Sequence, residues 1–81
     1  MTDEAIMRQL TEIFRSALNQ PALQLTRETT ADAVRGWDSL KHVELMIAVE
    51  ASFGVRFKAV EIGRMKNVGD LIDKVRSKTG G

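Results

Sequence analysis

Ser39 is the hydroxyl whose setting could serve chemistry. It stands in Gly36-Trp37-Asp38-Ser39-Leu40, just ahead of an amphipathic stretch ending Glu50-Ala51-Ser52-Phe53-Gly54. Aspartate is a favoured helix N-cap, so Asp38 puts Ser39 on the first turn of a helix. Backbone N–H groups there lack partners, and the positive end of the helix favours a negative ligand. A hydroxyl in that position can be presented to another enzyme as a substrate. An Asp-Ser pair before an apolar run is also an ordinary helix start, so the pair alone does not separate the two readings.

Other chemistry has little to work with. His42 is the only histidine and there is no cysteine. A zinc site needs several nitrogen or sulfur ligands, so no metal site is expected. Ser39 and His42 lie three apart and share a helix face. A nucleophile–base pair, however, also needs an orienting group and an oxyanion hole in a concave site. Gly36, Gly54 and Gly63 are isolated and make no phosphate-cradling loop. No catalytic residue is expected, and the chain is read as a non-enzyme.

Eighty-one residues make one domain, 1–81, and are too few for two. Without cysteine the small core must rest on helix packing. No run of about 18 apolar residues could span a membrane. The acidic opening Met1-Thr2-Asp3-Glu4 does not resemble a signal peptide. A monomer in the cytoplasm is expected. The formal net charge is +1. Residues 1–37 carry −1, residues 38–53 carry −2, and residues 54–81 carry +4. The basic last third is spread out and holds no interleaved aromatic ladder, so no nucleic-acid partner is expected.

Four helices can position these residues. The first spans about Asp3–Leu18, with Ile6, Leu10, Ile13, Phe14 and Leu18 in one stripe. Thr2 caps it, and Asn19-Gln20-Pro21 stops it. A long connection, about Gln20–Trp37, is pinned by Leu23, Leu25 and Val34, with a short turn at Thr30–Ala33. The second helix spans Ser39–Phe53, its core face drawn from Leu40, Val43, Ile47, Met46 and Phe53, with Glu44 outward and Gly54 as terminator. Val55-Arg56-Phe57 is an extended link. A short helix follows at about Val60–Met65, interrupted by Gly63. Asn67 caps the last helix, with Asp70 completing a short capping box. Its stripe is Val68, Leu71, Ile72 and Val75, and Thr79-Gly80-Gly81 should fray. The fold class is all-α, a four-helix bundle with three longer helices, one short helix, and a long loop between the first two.

In this register the chain resembles the acyl carrier protein family. Gly36-Trp37-Asp38-Ser39-Leu40 looks like that family's attachment motif. Val43-Glu44-Leu45 and Glu50-Ala51-Ser52-Phe53-Gly54 resemble its second helix, and Asn67-Val68-Gly69-Asp70-Leu71-Ile72 the start of its last helix. The likeness covers roughly Leu10 to Val75. It implies a 4'-phosphopantetheine arm, taken from coenzyme A, on Ser39, with acyl groups held on the arm as thioesters. Asp38 and Leu40 would help a phosphopantetheinyl transferase recognise the serine, and Glu44 matches a partner-docking position. Val43, Ile47, Met65 and Leu71 are the implied acyl pocket, or ordinary core. Acyl-loading and acyl-processing enzymes are the implied partners.

The sequence also departs from the family pattern. Lys41, His42 and Ala51 stand where acidic or small polar residues are common, and the last third is basic. Docking to basic partner surfaces should be weaker. A specialised lipid or polyketide-type pathway is expected rather than bulk fatty-acid synthesis. Trp37 at N′ and His42 at N4 can make a ring-on-ring staple at the helix start, and both are candidates for contact with the arm. A peptidyl or aminoacyl carrier shares the chemistry and fold. An unmodified interaction bundle predicts that Ser39 is never derivatised. A ubiquitin-like modifier, suggested by Gly80-Gly81, would need a sheet that the pattern lacks.

Overall fold

The structure is a computed structural model and describes residues 1–80. Its elements are α1 (Asp3–Ala17), a 3-10 turn (Ala31–Ala33), α2 (Ser39–Phe53), α3 (Ala59–Gly63) and α4 (Val68–Lys78), with no strand among the described residues. The class is all-α with three long helices and one short one. α1 packs on both α2 and α4. Among the described residues no helix is long and apolar enough to cross a membrane.

α1 forms where expected because Ile6, Leu10 and Phe14 fall on one side and are wholly buried. The Thr2 hydroxyl accepts from the Ala5 amide at 3.1 Å. The helix stops through Asn19 rather than through Pro21. Asn19 takes φ +55°, and the Gln20 amide reaches back to the Arg15 carbonyl at 2.9 Å. That is the left-handed helix ending usually made by glycine, which asparagine tolerates.

The long connection is tied at both ends. The Gln20 side-chain amide donates to the Arg35 carbonyl, and Arg15 Nε donates to the Leu23 carbonyl, each at 2.6 Å. Leu25 and Val34 are buried, and Leu23 packs half-buried against the same core. The middle of the connection meets the start of α4. Val68 N–H donates to the Thr29 carbonyl at 2.9 Å, and Gly69 N–H to the Arg27 carbonyl at 2.8 Å. Asn67 Oδ1 accepts from the Asp70 amide at 2.8 Å. Three amides that a helix start leaves without partners are thereby satisfied. The Asp70 carboxylate reaches one residue past the expected capping box and accepts from the Lys66 amide at 2.9 Å.

This seam explains Gly69. A Cβ there would lie 3.0 Å from the Arg27 carbonyl oxygen and 3.3 Å from Arg27 Cβ. Gly69→Ala would gain about 1 kcal/mol of helix propensity. Forcing the loop backbone away typically costs about 1–3 kcal/mol. The clash should win, lowering the melting temperature by about 5 °C in a domain of this size. A rise on thermal melting would show that the loop yields.

α2 has the expected bounds but a different inward face. Leu45, Met46 and Val49 are fully buried, whereas Leu40, Val43 and Ile47, expected to face the core, are 73%, 46% and 58% exposed. The helix is apolar almost all round, so two stripes compete at helical spacing. The one that wins, His42–Leu45–Met46–Val49–Phe53, is continuous with buried Trp37. Met46, offered beside the others, does lie in the core, and Phe53 packs half-buried against it.

Gly54 ends α2 with φ +68°. Val55 is buried and Phe57 half-buried, so the extended link keeps both anchors. α3 begins one residue earlier than expected, and Gly63 closes it rather than interrupting it. Thr79 is held, its amide on the Val75 carbonyl at 2.9 Å. The expected fraying therefore does not begin there, and residue 81 lies outside the described residues.

Candidate functional site

Ser39 is the first residue of α2 and is exposed. Asp38 is the N-cap, in extended backbone, and its Oδ1 accepts from the Lys41 amide at 2.8 Å. The Asp38 carbonyl accepts from the His42 amide at 2.8 Å, the first bond of the helix. Among the described residues no hydrogen bond occupies the Ser39 hydroxyl or the Ser39 and Leu40 amides. An exposed hydroxyl thus stands beside two free N–H groups at the positive end of a four-turn helix.

The cap is rigid because Trp37 anchors it. Trp37 is buried, with Phe14 edge-on at 4.9 Å between ring centroids. The indole Nε1–H donates to His42 Nδ1 at 3.0 Å, and the two rings lie near-parallel at 5.9 Å. Indole nitrogen only donates, so Nδ1 must be the unprotonated imidazole nitrogen. Nε2 then carries the hydrogen and donates to the Ile62 carbonyl at 3.0 Å. His42 is half-buried and joins the start of α2 to the end of α3. It cannot act as a base for Ser39, because both nitrogens are engaged. The expected Trp37–His42 contact is present, made edge to edge through that hydrogen bond.

Beside Ser39 opens a cleft of about 910 Å³. Trp37, Val34, Val43, Ile62 and Met65 give it apolar walls, and Asp32, Asp38 and Lys66 edge it. Of the four residues offered as an acyl pocket, the cleft brings together Val43 and Met65. Ile47 lies elsewhere, beside Arg56 in an exposed furrow, and Leu71 is sealed in the core. Val43 lines the cleft because it sits one turn after Ser39 on the exposed side, whereas Ile47 is one turn further along the same stripe, past the end of the cleft. Leu71 shares its stripe with Val68, Ile72 and Val75, all buried. Val34 and Ile62 are wall residues that the sequence reading did not place here. Val34 had an available signal as a loop anchor, whereas Ile62 was hidden in the weakest helix. Leu40 is exposed next to Ser39, and Glu44 is exposed and pairs with Lys41 at 3.6 Å.

The floor of the cleft depends on α3, which is too short to stand alone. Glu61 holds it. Its Oε1 accepts from the Lys58 amide at 2.7 Å, and its carboxylate meets Lys78 at 3.2 Å and Lys74 at 3.4 Å on α4. The Lys58 amide first, then the two lysines, push the Glu61 carboxyl down to about 2 from 4.5. A depressed carboxylate stabilises the fold above its unfolded value, and that contribution is lost as pH falls through the folded one. Glu61→Gln keeps an acceptor for the Lys58 amide but loses the charge. It should melt below the parent at neutral pH, with the gap closing as pH falls from about 4.5 to about 2. A gap that persists at the acid end would assign the loss to packing.

A second ionic cluster locks the long connection. Arg27 Nη2 donates to both Asp73 carboxylate oxygens at 2.9 and 3.0 Å, and Arg76 bonds Asp3 and Asp73. Hydrogen bonds from Arg27 hold the Asp73 carboxyl below its usual range. No group of three or more metal-ligating side chains occurs among the described residues.

No family model matches the chain. Several curated proteins do. An acyl carrier protein of Acidothermus cellulolyticus is 32% identical over 79 residues, covering 98% of this chain and 94% of that one. One from Helicobacter pylori is 34% identical over 68 residues, covering 84% and 87%. A solution NMR structure of a holo acyl carrier protein from Geobacter metallireducens superposes with a TM-score of 0.86 at 39% identity, covering 93% of this chain and 86% of that one.

Proposed function

The chain belongs to the acyl carrier protein family, and from that premise we propose that Ser39 carries a 4'-phosphopantetheine arm and that the chain itself performs no catalysis. The observation that carries this reading is the exposed Ser39 hydroxyl on a capped first turn at the mouth of an apolar cleft. The residues fit such a group. Two free amides and the helix end suit a phosphodiester, and the adjoining apolar walls suit a flexible arm or its cargo. When bound, the arm supplies the thiol on which acyl groups are held as thioesters.

Each nearby residue then has a task. Asp38 fixes the first turn so that the hydroxyl is held outward. Leu40, exposed beside it, and Asp38 give a transferase something to grip. Glu44 serves docking. Trp37 and His42 keep their ring nitrogens for each other and for Ile62, so their part is to hold the cleft open at a set width. Val43 and Met65, with Val34 and Ile62, are the wall that meets arm or cargo. The mixed charge around the site supports a dedicated lipid or polyketide-type pathway, with its own loading and processing enzymes.

The test uses the absence of cysteine. Incubation with coenzyme A, magnesium and a broad-specificity phosphopantetheinyl transferase should add one phosphopantetheinyl group by intact mass. The same sample should acquire one titratable thiol where there was none. A folded, helical protein that gains neither with two different transferases would sink the reading and leave the unmodified bundle.

A further inference from the structure

A wall of side chains separates the cleft beside Ser39 from the interior of the bundle. Trp37, His42, Ile62 and Met65 line the cleft. Trp37, Ile62 and Met65 also pack against the core, Trp37 on Phe14. Phe14, Met46 and Leu71 in that core are at most 1% exposed.

α3 is held in this wall from two directions. His42 Nε2 donates to the Ile62 carbonyl at 3.0 Å and ties α3 to α2, with the ring itself fixed by the Trp37 indole at 3.0 Å. Glu61 ties α3 to Lys74 and Lys78 on α4. An alkyl chain passing from the cleft to the interior must part α2 from α3. That breaks the His42–Ile62 bond and leaves a carbonyl and an imidazole N–H without partners in an apolar wall, a costly state.

The outer end of the cleft gives a long chain no better berth. Asp32 and Lys66 edge it, both are exposed, and among the described residues neither is in an ion pair. Apolar wall there gives way to charge and water. An alkyl tail gains about fourfold in equilibrium for each methylene taken out of water, so methylenes beyond the apolar walls gain nothing.

We infer that His42 is a specificity-determining latch that keeps the interior closed, and that the cargo suited to this chain is a short or polar-ended acyl group held in the cleft rather than a long alkyl chain drawn between the helices. The inference rests on the carrier reading, since without an arm on Ser39 there is no cargo to place.

The test varies chain length. Arms already bearing butanoyl or octanoyl are transferred to Ser39 from the matching coenzyme A thioesters, and intact mass confirms each product. An interior berth for the four extra methylenes would raise the melting temperature by about 10 °C or more. The two forms of the parent should instead melt within about 2 °C of each other. Their amide shifts should fall at Val34, Val43, Ile62 and Met65 and spare Phe14, Met46 and Leu71. In His42→Ala the octanoyl form should melt about 5 °C or more above the butanoyl form and shift the Phe14 and Leu71 amides. His42→Phe keeps a ring without either bond and is read the same way if the alanine variant does not fold. Glu61→Gln frees α3 from α4 but not from α2, and its two forms should stay as close as the parent's. Octanoyl that stabilises the parent and shifts its core amides would overturn the inference. So would a His42 variant as indifferent as the parent, because packing alone would then close the interior, or a Glu61→Gln protein that responds like His42→Ala, because general loosening would then suffice. If no arm attaches to the folded parent, the carrier reading fails and takes this inference with it. If arms attach but chain length has the wrong effect, this inference fails alone.

Discussion

Ser39→Ala should take no phosphopantetheinyl group under conditions that load the parent fully, and should keep its fold. The loss is complete because the other three serines are poor substitutes. Ser16, Ser52 and Ser77 each sit in the last turn of a helix, at the negative end, where an added phosphate is disfavoured. Ser52 also bonds Gln9 at 2.6 Å. The fold survives because Ser39 is exposed and its hydroxyl holds nothing in place. Alanine is a better helix former, and Asp38 still caps the helix, so the stability change should stay within about 0.5 kcal/mol. Asp38→Ala is the contrasting variant. It leaves the Lys41 amide without its partner, at a cost of about 1 kcal/mol, and should slow loading by loosening the turn that presents the serine. Asp38→Asn keeps the cap without the charge. Recovery of stability without recovery of loading would assign the aspartate charge to transferase recognition. Intact mass and thermal melting read all three, and loading of Ser39→Ala at the parental rate would move the attachment site elsewhere.

How much of this could be read from the chain depends on whether the signal is local. The ends of α2 were legible because Asp38 and Gly54 are strong terminators that act within a turn. The rotation of α2 was not. Leu40, Val43, Leu45, Met46, Ile47 and Val49 leave little polar contrast, and the choice between faces is made by Trp37 packing on Phe14, a contact between distant segments. The same reversal explains the acyl-pocket residues. Val43 and Met65 border the cleft, while Ile47 lies a turn beyond it on the same outward stripe and Leu71 went with a stripe that turned inward. The long connection showed its anchors in Leu25 and Val34, but its carbonyl bonds to Val68 and Gly69 had no sequence signature. The His42 bridge was half visible. Its spacing from Trp37 suggested a contact, but the Ile62 carbonyl that completes it comes from a helix with a weak pattern.

Trp37→Ala should be the most destabilising single change near the site. The side chain is buried against Phe14, and truncating a large aromatic in a core costs about 3–5 kcal/mol. Domains of this length hold roughly 4–12 kcal/mol in all, so the melting temperature should fall by about 15 °C or more. Trp37→Phe separates packing from the hydrogen bond. It refills most of the space but leaves His42 Nδ1 without its donor, which costs about 1–3 kcal/mol when the acceptor stays shielded. It also frees the imidazole to change tautomer, so ring nitrogen shifts should report Nε2–H in the parent and a mixture in the variant. Pairing Trp37→Phe with His42→Leu in a double-mutant cycle should give a coupling of about 0.5–3 kcal/mol, because each ring orients the other. If the role is to hold the cleft at the mouth of Ser39, Trp37→Phe should still accept the arm while its cleft closes less firmly on α3. A Trp37→Ala protein that melts with the parent yet fails to load would overturn this structural role. The indole would then be a surface that the transferase touches rather than the post on which the serine's helix is set.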